Sequence, residues 1–96
     1  MPKKSKVYWL YMVKCRDRTL YTGISNDVKA RVERHNTGHG AKYTASRRPV
    51  RLVYSEKLGS LSLAMRREHA VKRMSKARKI ELIGSQKTKR RTLRKS

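Results

Sequence analysis

Acidic residues are scarce in this chain of 96 residues: there are 6 of them against 27 Lys and Arg, for a net charge of +21. An excess of that size, recurring along the whole length, points to a polyanion as the natural partner. Phenylalanine is absent and tryptophan occurs once, at Trp9. A membrane-surface helix needs a broad apolar face of Leu, Phe or Trp beside its basic one, so an anionic membrane is the weaker partner. The longest apolar run is Val7 to Val13, far short of the ~20 residues that span a bilayer. Cysteine also occurs once, at Cys15, which excludes an intrachain disulfide and a Cys-x-x-Cys metal clip and fits a reducing cytoplasm.

What is present fits one domain with one small core. Residues 1–6 read as a basic arm without a signal-peptide cleavage pattern after it, so a soluble, cytoplasmic protein is expected, with nucleoid association compatible. Nucleic acid is the first partner because each neutralised phosphate releases counterions. Self-repulsion makes a monomer the expectation without a polyanion.

The residue pattern predicts an α/β domain over 7–83. Val7–Lys14, rich in aromatic and β-branched residues, reads as a central strand with apolar residues on both faces. Asp17-Arg18 turns the chain into a second strand, Leu20–Ser25, with Tyr21, Gly23 and Ser25 on one face. Asn26 or Asp27 can cap a helix whose inner stripe is Val28, Arg31, Val32 and His35. Thr37–Pro49 reads as a long basic loop holding Lys42, Tyr43, Arg47 and Arg48. Val50–Lys57 is a third strand, and Ser62 can cap a helix running to about Arg73 with Ala64, Met65, Glu68 and Val71 on one face. Ser75 opens a short helix anchored by Ile80, Leu82 and Ile83, with Gly84 as its stop. Residues 84–96 read as a disordered basic tail.

Trp9-Leu10-Tyr11 and Tyr21-Thr22-Gly23 place their tyrosines ten residues apart, and Arg31 and His35 follow one helical turn apart. In this order and spacing, from about Val7 to Ile83, the chain resembles the GIY-YIG endonuclease superfamily in its small single-domain bacterial branch. Trp9 stands where the motif's first glycine would be and Thr22 where its central isoleucine would be. The resemblance implies a three-stranded antiparallel sheet flanked by helices and a metal-dependent endonuclease acting on DNA with structural preference, in repair or recombination. It further implies that Tyr11, Tyr21, Arg31 and His35 share a catalytic pocket and that Glu68 holds one Mg²⁺ or Mn²⁺. The family's late asparagine has no counterpart after Asn36, and Ser75, Lys76 and Gln86 are the residues available near its place.

The chemistry agrees with those roles. A phenol ionises near pH ~10, so a tyrosine takes a proton from water at neutral pH only where cations stabilise phenolate. Arginine's planar fork donates paired hydrogen bonds to two phosphate oxygens and keeps its charge. A lone carboxylate can hold Mg²⁺ when waters and substrate phosphate complete its shell, whereas a two-metal site needs a carboxylate cluster that the sequence lacks. Lys42, Tyr43, Arg47, Arg48 and Lys72 are the expected nucleic-acid contacts. Each residue also has a plainer reading: sheet tyrosines, a buried histidine, a Glu68–Lys72 surface pair. The rival function is a non-catalytic DNA- or RNA-binding basic protein on the same fold.

Overall fold

A computed structural model describes the backbone of residues 7–95 and the side chains of residues 7–86. Its strands are β1 (Tyr8–Lys14), β2 (Leu20–Ser25) and β3 (Arg51–Leu58), and its helices are α1 (Val28–Asn36), α2 (Lys42–Ala45), α3 (Leu61–Lys72) and α4 (Lys76–Lys95). The basic arm expected at 1–6 lies outside the described residues, as do the side chains of the expected tail from residue 87 onward.

Strand alternation decides the architecture. Along β1, Leu10 and Met12 point to one face and Tyr11, Val13 and Cys15 to the other, and all five are buried. A strand that is apolar on both sides belongs in the middle of a sheet covered on both faces. The three-stranded antiparallel order is β2-β1-β3, with β1 central as the sequence predicts. Leu10 and Met12 pack with Tyr54 and with Val71 of α3, and Met74, Leu82 and Ile83 close over them. Tyr11, Val13 and Cys15 pack with Val50, Tyr21 and the α1 residues Val28 and Val32. Each fully buried aliphatic side chain contributes about 1.5–3 kcal/mol.

The β1–β2 turn is gripped from both sides. Asp17 Oδ1 accepts from the Thr19 N–H at 3.1 Å and from its hydroxyl at 2.6 Å. Arg47 Nε donates to Asp17 Oδ2 at 3.0 Å, while Lys76 Nζ reaches the carbonyl of Arg18 at 3.1 Å. Arg18 sits at φ 72°, a left-handed conformation uncommon outside glycine, and the lysine holds its carbonyl there.

Side-chain hydrogen bonds fix the helices. Asp27 caps α1 by accepting from the Ala30 N–H at 3.1 Å. Asn36, at the other end of α1, brackets Val50, accepting from its N–H at 2.7 Å and donating to its carbonyl at 2.9 Å. Helix α3 starts two residues before the expected place: Ser60, not Ser62, is the cap, accepting from the Leu63 N–H at 3.2 Å. Its backbone is extended directly after Gly59, so its hydroxyl meets the orphan donors of the first turn. Helix α3 is tied to β3 by Arg67, which donates to both oxygens of Glu56 at 2.8 and 3.1 Å. Tyr54 donates to the same carboxylate at 2.5 Å, and burial together with Glu56 pushes its phenol up to about 12.

Gly84 does not stop α4, which continues through it to Lys95. A glycine inside a helix costs only about 1 kcal/mol, and here Leu82 and Ile83 pack on the sheet while Gln86 is bound beyond it. The Gln86 amide donates to the Ser55 carbonyl at 2.5 Å and accepts from the Ser55 N–H at 3.3 Å, occupying edge strand β3 as a neighbouring strand would. Among the described residues no helix is long and apolar enough to cross a membrane.

Candidate active site

The site begins with the pairing of β1 and β2. Tyr11 lies opposite Gly23 and Val13 opposite Tyr21, so both tyrosines rise from the same face one diagonal apart. The Tyr11 ring lies across Gly23: a Cβ there would stand 2.7 Å from the Tyr11 hydroxyl oxygen and 2.8 Å from Cζ. The glycine is therefore small to admit a phenol.

Above the tyrosines, α1 turns His35 toward them, and His35 is 1% exposed. Tyr11 Oη lies 2.8 Å from His35 Nε2, and His35 Nδ1 lies 2.7 Å from the hydroxyl of Thr44, itself fully buried. The Thr44 hydroxyl also lies within hydrogen-bond distance of the Ala41 carbonyl, at 3.0 Å. Both ring nitrogens of His35 are thus engaged, one by the phenol of Tyr11 and the other by the hydroxyl of Thr44. The Ala41 N–H donates to Nδ1 as well, at the longer distance of 3.4 Å.

Two of these residues were not found by sequence reasoning. Thr44 sits in the segment expected to be irregular, which instead forms the single helical turn α2. Gly40 passes so close to His35 that a Cβ would fall against Nδ1 and 2.8 Å from the histidine Cα. The only signal in the sequence was a glycine and a threonine within an aperiodic loop.

Burial divides the tyrosines. Tyr11 is 1% exposed, and its phenol is raised far above the ordinary range, first by burial, then by Tyr21, with Glu68 adding to the rise and Arg31 opposing it. Cations do not hold Tyr11 as phenolate: desolvation wins and keeps its phenol neutral. Tyr21 is half-buried and open to solvent on one side. It meets the edge of His35 at 5.3 Å between centroids and stacks on Tyr43 at 6.0 Å.

The Arg31 side chain is exposed and makes no hydrogen bond or ion pair among the described residues, yet its charge acts on Tyr11 and on His35. Glu68 comes from the opposite layer, between the buried Ala64 and Val71 of α3, and its charge also reaches Tyr11. Lys72 Nζ pairs with Glu68 at 3.2 Å, one turn along. Of the expected nucleic-acid contacts, Lys42, Tyr43 and Arg48 are exposed beside Tyr21 or on the following turn. Arg47 is already engaged: beyond Asp17, it donates to the Tyr43 carbonyl at 2.8 Å and lies 3.9 Å over the Tyr43 ring. Ser75 caps α4, Lys76 holds Arg18 and Gln86 holds Ser55, so each of the three late polar residues is spent elsewhere.

The donor set suits a divalent ion that arrives with its substrate. Among the described residues no group of three His, Cys, Asp or Glu could cage a metal, and both nitrogens of His35 are occupied. Glu68 alone offers a carboxylate, which fits Mg²⁺ or Mn²⁺ carrying most of its own water.

Burial and the neighbouring Arg31 hold the His35 pKa below its ordinary 6.5. In the window from 6.5 down to that lower value the unfolded chain binds the proton and the folded one does not, so stability is lost as pH falls through it. Urea unfolding between pH 7.5 and pH 5 is expected to show a falling midpoint, and a flat profile would contradict a neutral, buried His35.

A family model for the GIY-YIG catalytic domain matches residues 7–81. The UPF0213 protein of Staphylococcus haemolyticus is 51% identical over 76 residues, covering 79% of this chain and 93% of that protein. The solution structure of the UPF0213 protein from Bacillus halodurans is 40% identical, with a TM-score of 0.54 over 81% of this chain and 83% of the other. A second solution structure, from E. faecalis, is 32% identical with a TM-score of 0.60 over 88% and 90% of the two chains. Both share the fold of this chain, and with the family model matching from the start of β1 into α4, this chain belongs to the GIY-YIG family.

Proposed function

We propose that the protein is a divalent-metal-dependent endonuclease that hydrolyses phosphodiester bonds in DNA, with preference for nicked, flapped or branched structure and a role in repair or recombination. One observation carries this reading: the charges of Tyr21, Arg31 and Glu68, on β2, α1 and α3, all act on the single phenol of Tyr11 on β1. That proximity of four chemically distinct groups from four elements supports reading them as one site.

Within it the roles separate. Arg31, without an acid partner, donates paired hydrogen bonds to the non-bridging oxygens of the scissile phosphate. Tyr21, the accessible phenol, orients the attacking water and receives its proton. Tyr11, His35 and Thr44 form a buried file that positions Tyr21, since the His35 ring edge supports the Tyr21 ring. Glu68 anchors the divalent ion, which when bound neutralises charge on the leaving oxygen. Exposed Lys42, Tyr43 and Arg48 track the flanking phosphates and offer a stacking surface. Contacts made to phosphates rather than to base edges leave shape, not base identity, to direct the cut.

The test is cleavage of a panel of nicked, flapped and branched DNA by highly purified protein in Mg²⁺ or Mn²⁺. Cleavage is expected to vanish with chelator and to fall about a hundredfold in Arg31→Ala. Binding without any cutting across the panel would hand the chain to the rival reading, a basic nucleic-acid-binding module.

A further inference from the structure

The flank of α1 turned away from Arg31 carries a second feature. Trp9, Val28, Val32 and Leu52 line a groove of about 690 Å³ between α1 and strands β1 and β3, with Asp27 and Glu33 among its walls. Leu52 is 44% exposed and Trp9, the chain's one tryptophan, is half-buried.

The charges there are unusual for this molecule. Asp17, Glu56, Glu68 and Glu81 each pair with an Arg or Lys. Asp27 and Glu33 form no ion pair among the described residues, in a chain with 27 cations, and both line this groove. Asp27 has one carboxylate oxygen committed to capping Ala30, and Glu33 accepts no side-chain hydrogen bond among the described residues. Lys29 also lines the groove and pairs with neither. Helical spacing sets Lys29 and Glu33 on the β3 side of α1 and Arg31 on the β2 side. Phosphate is drawn to one flank and repelled from the other.

We propose that this groove docks a segment of a partner protein that carries Lys or Arg beside one or two large apolar side chains. The apolar floor takes the aliphatic or aromatic anchor, and the unpaired carboxylates take the flanking cations. Bound there, a partner leaves the Tyr21–Arg31 flank free for nucleic acid, so it can deliver the domain to a site without blocking it.

Trp9 makes the proposal directly measurable. The probe is a peptide of about ten residues with leucines at helical spacing among lysines, titrated against the full chain while Trp9 emission is followed. A saturable emission shift is expected, weakened by salt and weakened about tenfold in Glu33→Lys. Asp27→Asn keeps the cap, so it lowers affinity without disturbing α1. The same peptide with glutamates for lysines is expected to leave Trp9 unchanged, as is a short single-stranded oligonucleotide. Equal binding of the acidic peptide, an equal response to the oligonucleotide, or an emission change that follows protein concentration alone would overturn the proposal; the last would assign the groove to a second copy of the chain. Circular dichroism of each variant separates lost docking from lost folding. DNA cleavage by Glu33→Lys is expected to be intact, so failure here leaves the nuclease reading untouched.

Discussion

Glu68→Gln is expected to lower DNA cleavage about a thousandfold while DNA affinity stays the same or rises slightly. The amide keeps the size of the side chain and its place between Ala64 and Val71, so packing is undisturbed; what is lost is the negative charge. A nucleic-acid clamp of net charge +21 gains from losing an acid, so any fall in activity with binding retained reports chemistry. The plainer reading of Glu68 is its pair with Lys72 at 3.2 Å, an i, i+4 contact worth a few tenths of a kcal/mol. Lys72→Ala is the comparison that separates the two. Measured in single turnover at saturating DNA, Lys72→Ala is expected to cut within about threefold of the parent. Equal losses in both variants, or full activity in Glu68→Gln, would reduce Glu68 to a surface partner.

Gly40→Ala is expected to cost about 3 kcal/mol of folding stability, a large part of the roughly 5–15 kcal/mol available to a small domain. Its Cβ would press on the His35 ring and stand 2.8 Å from the His35 Cα, which is backbone and cannot swing aside. Moving α2 away to relieve the clash withdraws Thr44 from His35 and leaves a buried ring nitrogen unpaired. Gly59→Ala is the natural control, since the nearest atom to its Cβ is a leucine methyl at 3.8 Å, and it is expected to change stability by less than about 0.5 kcal/mol. Urea midpoints of the two variants decide the matter, and equal midpoints would show that the loop yields freely.

Strand alternation and a ten-residue spacing made the sheet, its central strand and the common face of Tyr11 and Tyr21 legible in advance, because those follow from the two-residue period of an extended chain. The polar half of the α1 stripe was legible as an anomaly, and His35 does turn toward the tyrosines. What separates the two phenols was hidden. Burial of Tyr11 depends on α1 packing over it and on the smallness of Gly23, neither of which leaves a local pattern. Thr44 and Gly40 were hidden for a similar reason: their partner, His35, lies in another element, and a segment that satisfies one buried imidazole has no periodicity to display. Gly84 misled because local propensity yields to the packing of Leu82 and Ile83. The acidic groove was visible only as two acids among many cations, since which carboxylates lack partners is a property of the folded surface.

The glutamine bound across Ser55 bears on how many such chains can crowd together. Molecules gathered along one stretch of DNA sit at high local density, where an open sheet rim invites annealing into a continuous ribbon. Here the rung that a newcomer would grasp is already taken by an amide from the same molecule. On the nuclease reading, a chain built to gather on a polymer thus carries its own guard on the β3 rim.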